Sequence, residues 1–104
     1  MERYLIVFRG GTVDEKEGRP HDPRMWDAWF GTLGAALVDR GALSHSSVEV
    51  PNRLLGPKLS SSALSGYAVI VAADFDDAIR LAEACPIFDE NGSVEIARLR
   101  QSAG

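Results

Sequence analysis

The sequence predicts a single α+β domain built in the order strand, helix, strand, strand, helix, strand. Three observations carry that reading. Two runs, residues 3–8 (RYLIVF) and 66–73 (GYAVIVAA), are rich in β-branched and aromatic residues and apolar at both odd and even positions. Each is followed by a segment with apolar residues at helical spacing, opened by an aspartate at 22 or 74. The whole chain has 104 residues, the length of one domain. Residues 1–100 are assigned to that domain and residues 101–104 to a frayed tail.

In the first strand, Tyr4, Ile6 and Phe8 point one way, and Leu5 and Val7 the other. Both faces are apolar, which suits a central strand covered on both sides. Residues 10–23 (GGTVDEKEGRPHDP) form a polar loop punctuated by glycine and proline. Asp22 then serves as N-cap, with Pro23 at the first helical position. Trp26, Phe30, Leu33 and Leu37 recur at helical spacing, with Trp29 on the flank. The expected helix end is Arg40-Gly41, a cation near the negative pole and a glycine beyond it. Gly31 and Gly34 fall inside this span, and each costs roughly 1 kcal/mol against alanine there. A close approach by another backbone is the expected reason for them.

Residues 46–53 (SSVEVPNR) alternate apolar and polar and contain Pro51, the pattern of a short edge strand. Residues 54–65 read as a loop rich in serine, glycine and proline. After the second central strand, Asp74 caps a helix over residues 75–84, with Phe75, Ala78, Ile79, Ala82 and Cys85 on one face. Asp76 and Asp77 complement its positive pole, and Cys85-Pro86 ends it. Asn91-Gly92 marks a turn, and residues 93–99 (SVEIARL) form the last strand.

This order is the split βαβ, or ferredoxin-like, βαββαβ arrangement, a four-stranded antiparallel sheet with two helices on one face. Two helices cover only that face. The apolar residues of the central strands on the other face need a second cover. The simplest cover is a second copy, sheet against sheet, pairing as a dimeric α/β barrel.

Composition narrows the function. Fifteen acidic residues stand against eleven basic ones, for a net charge of −4. The positive stripe that neutralises nucleic-acid phosphates is missing, so no nucleic-acid partner is expected. No window approaches the ~20 apolar residues of a membrane span, and residues 4–8 are too short an apolar run for an export signal. The expectation is a cytoplasmic protein without a membrane partner. The lone Cys85 agrees with a reducing compartment, and its place at a helix C-terminus is the wrong pole for activating a thiol. No metal is expected, because two histidines and one cysteine widely spread give no ligand spacing. No cofactor is expected either. Gly10-Gly11 lacks the rest of a phosphate-binding loop.

The second half of the chain carries a likeness. Gly66-Tyr67-Ala68-Val69-Ile70, Asp77-Ala78, Leu81-Ala82, Ala84-Cys85-Pro86 and Gly92-Ser93-Val94-Glu95-Ile96 form a glycine-tyrosine strand, a D-A…A…C-P helix and a final G-x-V-E-I strand. With Tyr4–Phe8 and the tryptophan-rich residues 26–34 before them, they resemble the YCII-related family, in an uncharacterised bacterial branch. Leu55-Gly56-Pro57-Lys58-Leu59 keeps only the Gly-Pro of a D-G-P-F segment found in one branch of that family. The resemblance implies the dimeric α/β-barrel superfamily and a homodimer. It also implies a small organic ligand held between sheet and helices, as in superfamily relatives that include cofactor-free isomerases, dehalogenases and monooxygenases, and for this chain the expected chemistry is cofactor-free acid–base catalysis of isomerase or lyase type.

The candidate catalytic residues are His21, Asp22 and His45. A histidine beside a carboxylate is a proton-transfer pair near neutral pH. The competing reading of the same residues is a helix cap next to a solvated histidine. His45 precedes Ser46 and Ser47, but neighbours in an extended segment point apart and no nucleophile elbow is present, so a surface role competes there too. The candidate ligand-binding residues are Trp26, Trp29 and Tyr67. Aromatics at helical spacing also serve as core, and a buried tyrosine often finds only a backbone partner. Glu95 needs a partner if it faces inward, and Arg3 or Arg9 is placed to supply one. The alternative to an enzyme is a non-catalytic ligand-sensing or accessory interaction module.

Overall fold

The computed structural model describes residues 1–10, 22–44, 46–59 and 64–100. Its elements are β1 (Glu2–Gly10), α1 (Pro23–Leu33), β2 (Leu37–Leu43), β3 (Val48–Glu49), β4 (Lys58–Leu59), β5 (Leu64–Ala72), α2 (Phe75–Ala82) and β6 (Gly92–Arg98). A 3₁₀ turn at Gly34–Ala36 follows α1, and another at Pro86–Glu90 precedes β6. The four long strands form one antiparallel sheet in the order β2-β5-β1-β6, consistent with a ferredoxin-like fold.

The two-residue period of the central strands fixes which side chains meet the helices. Tyr4 pairs with Ile70 and Ile6 with Ala68, and these residues, with Phe8 and Ala72, are fully buried. Helix α1 lays Trp26, Trp29, Phe30 and Leu33 over them, and α2 adds Ala78 and Ala82. Cys85 and Ile87 complete this core. Burial of each large side chain contributes roughly 1.5–3 kcal/mol. The Phe8 ring also meets Trp26 edge-on at 4.9 Å and Trp29 at 5.9 Å, the geometry favoured by the ring quadrupole.

On the other face, Leu5, Val7, Val69 and Val71 are only half-buried, and Tyr67 is 42% exposed. No described element covers this face. Glu95 also lies there, opposite Val7 and exposed rather than inward, with Arg9 Nε 3.8 Å from its Oε1.

Several boundaries differ from the sequence expectation. Helix α1 does not run to Arg40 but stops at Leu33, where Gly34 takes φ +54, a region that L side chains rarely adopt. A Cβ built on Gly31 or Gly34 meets nothing within 4 Å, so close backbone approach explains neither glycine. The chain then turns into β2, and this segment, not residues 46–53, is the second strand of the main sheet. Leu37 sits four residues after Leu33, so local spacing continues the helical pattern. The open edge of β5 supplies the ladder partners that decide otherwise.

The β2–β5 register shifts on both sides of Asp39. The Gly41 amide donates to Asp39 Oδ1 at 2.8 Å, and Gly41 has φ +63. A Cβ there would stand 1.9 Å from the Tyr67 carbonyl oxygen, so only glycine fits this bulge. Residues 46–53 contribute only β3, which pairs with β4 in a separate two-stranded ribbon. The second helix behaves as its cap predicts. Asp74 Oδ1 accepts from the Asp77 amide at 2.8 Å, and the helix ends at Ala82, two residues earlier than residue 84. Asn91 takes φ +63 in the turn into β6.

Candidate functional site

A sheet–helix cleft opens between α1 and β2. It holds about 230 Å³ and is lined by Pro23, Trp26, Asp27, Phe30, Arg40, Gly41, Ala42 and Leu43. Its helix wall follows from the N-terminus of α1. The Arg24 amide donates to Asp22 Oδ1 at 3.0 Å, and Pro23 supplies the first helical residue. Trp26 and Phe30 then stand one turn apart, with Asp27 beside them. The strand wall follows from the bulge at Gly41, next to which Arg40 reaches back across the cleft. The Arg40 guanidinium lies 4.6 Å from the Phe30 ring centroid and is ion-paired to Asp27. A cation stacked on a ring in this way gains roughly 0.5–1 kcal/mol at an exposed site.

Asp22 is the N-cap of α1; it precedes Pro23, which lines the cleft, and is not itself among the lining residues. His21 and His45 lie outside the described residues. Trp26 is buried, and it is one of the residues that line the cleft. Its Nε1–H donates to Glu90 Oε2 at 2.8 Å. Trp29 is buried in the core, with its Nε1–H donating to the Leu81 carbonyl at 3.1 Å. Tyr67 lies across the sheet from both tryptophans, on the face that no helix covers. The three aromatic candidates therefore do not converge on one cavity within a single chain.

Arg40 and Asp27 were not singled out by the sequence. The helix expected through residue 40 placed both on one element, whereas the ion pair joins a helix to a strand. Chemically, the cleft offers a guanidinium, a carboxylate and an aromatic wall. Its volume lies below the ~300 Å³ at which drug-sized pockets begin, so it suits a compact molecule.

Other groups add little chemistry. Burial pushes the Cys85 thiol up to about 12, against a slight opposing pull from a hydrogen bond with the Ile87 backbone. Cys85 is therefore packed and protonated. Among the described residues no group of three or more histidine, cysteine, aspartate or glutamate side chains is placed to hold a metal ion. No described helix is long and apolar enough to cross a membrane. A second, larger groove of about 400 Å³ runs between α2 and β6, with Phe75, Ile79, Phe88, Val94 and Ile96 among its lining.

Set against protein-family models, curated proteins and solved structures, the chain finds no match in any of the three.

Proposed function

We propose that this chain is a YCII-related protein that works as a homodimer, with the helix-free faces of two sheets stacked as a dimeric α/β barrel. In each copy it binds a small organic molecule in the cleft between α1 and β2. The observation that carries the reading is the composition of the helix-free face, where Leu5, Val7, Tyr67, Val69 and Val71 form a contiguous apolar patch on the two central strands. Such a patch on a sheet favours a second apolar layer at about 10 Å.

Arg40 is the polar anchor of the cleft, and a ligand carboxylate would exchange with Asp27 for its guanidinium. Asp22, next in sequence to the cleft residue Pro23, and His21 before it supply the acid–base pair for cofactor-free proton transfer. The second reading is a ligand-sensing or accessory module without catalysis. The Asp27–Arg40 pair favours it, because that pair already satisfies the cleft's charges internally.

Native mass spectrometry of the purified protein, followed by thermal-shift screening of small carboxylates, tests the ligand reading. The expected result is a raised melting temperature with at least one compact acid, lost in Arg40→Gln. No retained adduct and no shift with any acid would overturn it.

A further inference from the structure

Resting on the dimer reading, we infer that residues 46–59 form an arm whose tip seats in the α2–β6 groove of the second copy. The arm carries three strongly exposed apolar side chains: Leu54 is 97% exposed, Leu55 74% and Leu59 85%. The tip is nonetheless built. Asn52 Oδ1 accepts from the Leu54 and Leu55 amides at 3.0 and 2.8 Å, and the Gly56 amide donates to the Asn52 carbonyl at 3.3 Å. An Asx-type turn thus holds two adjacent leucines out in solvent. Ordering a bare apolar knob in this way gains nothing for an isolated chain.

The groove matches it. Phe75, Ile79 and Phe88 are 40–45% exposed along its walls, over Val94 and Ile96, with Glu83 at the rim. Among the described residues neither Arg53, next to the two leucines, nor Glu83 makes an ion pair. An arginine beside an apolar knob and a glutamate beside an apolar groove are complementary.

The register places the two together. Arg9 pairs with Leu64, Leu43 with Gly66 and Gly10 with Gly92, so the arm's root and the start of β6 share one end of the sheet. They lie on opposite edges, because β2 and β6 are the outer strands. Stacking two sheets about a two-fold axis parallel to the strands lays the β2 edge of one over the β6 edge of the other and keeps that end in common. The groove opens on the helix side of the second sheet, so the arm must pass one sheet spacing of ~10 Å and continue round the β6 edge to the helix layer; about ten residues separate Ser44 from the tip, a reach of up to ~30 Å.

Area points the same way. Four strands ~4.8 Å apart and about seven residues long present a projected face of roughly 450 Å². Standard interfaces bury about 800 Å² per partner, and two symmetric arms add to the stacked sheets.

Sedimentation equilibrium of the full chain tests this with Leu54→Ser/Leu55→Ser, Arg53→Glu, Glu83→Arg, and the last two combined. The expected result is a dimer whose Kd rises at least tenfold in the leucine double variant. Each charge reversal raises it about threefold to tenfold, and the combined reversal restores it. A wild-type chain that is monomeric at every concentration overturns the dimer reading, and this inference with it. A wild-type dimer whose Kd the leucine variant leaves unchanged overturns the arm alone. Weakening by the leucine variant without rescue by the combined reversal overturns the groove as its seat.

Discussion

The indole Nε1–H of Trp26 donates to Glu90 Oε2 at 2.8 Å, tying α1 to the 3₁₀ turn before β6 across 64 residues of sequence. A hydrogen bond to a charged, partly buried group contributes about 1.5–3 kcal/mol. Trp26→Phe keeps an aromatic ring against Phe8 but removes the donor. It should lower the unfolding free energy by about 2 kcal/mol in urea titrations followed by far-UV circular dichroism. An unchanged midpoint would show that this link does not hold the two ends of the core together.

Cys85 gives a chemical prediction. The folded thiol titrates at about 12 against a reference of 9.0, so it stays protonated where an unfolded thiol ionises. Native protein should resist Ellman's reagent at pH 8 and react fully in denaturant. Above pH 9 the unfolded state binds fewer protons at this site than the folded one. The site's contribution to stability therefore falls as pH rises from 9 to about 12. The slope of that fall is about 1.4 kcal/mol per pH unit. Cys85→Ala should flatten it when stability is measured against pH beside the wild type.

The cap of α2 makes an acid-side prediction. Hydrogen bonds from the Ala73 amide, at 2.9 Å, and from Arg80 hold the Asp77 carboxyl below its ordinary range. A lowered pKa stabilises the fold above the unfolded value of 3.8 and ceases to do so as pH falls through the lower folded value. Asp77→Asn should therefore destabilise at neutral pH and converge with wild type in acid. Asp74→Ala, which removes the N-cap acceptor, should cost about 1 kcal/mol in chemical denaturation at pH 7. A larger gap in acid than at neutrality for Asp77→Asn would mean that the Asp77 carboxylate does not stabilise the fold.

Gly41→Ala tests the bulge. A Cβ 1.9 Å from the Tyr67 carbonyl oxygen, at φ +63, forces β2 away from β5. The loss should exceed ~2 kcal/mol, since strain and lost ladder bonds combine. Amide exchange should rise first in Leu37–Leu43. Retained protection in that strand would mean that β2 is not anchored at this point.

Much of the fold was legible in the sequence because short-range physics decides it. The apolar runs of β1 and β5, the aspartate caps and the Asn-Gly turn each act within a few residues. The stretch from Gly34 to Leu43 was not legible. Leu33 and Leu37 are four apart in either conformation, and the partner that selects a strand, β5, lies more than twenty residues further on. The site inherited that error, for Arg40 belongs to the cleft only once its segment is a strand. Residue type alone groups Tyr67 with the tryptophans, whereas the two-residue period of β5 sends it to the other face, out of phase with Ala68 and Ile70.

In the proposed homodimer a second copy covers the helix-free face. Multi-angle light scattering of the eluting protein at micromolar concentration reads it directly. The expected mass is twice the 11.2 kDa of one chain, falling to the single mass in Val69→Asp. A wild-type mass of 11.2 kDa at every loading would contradict it.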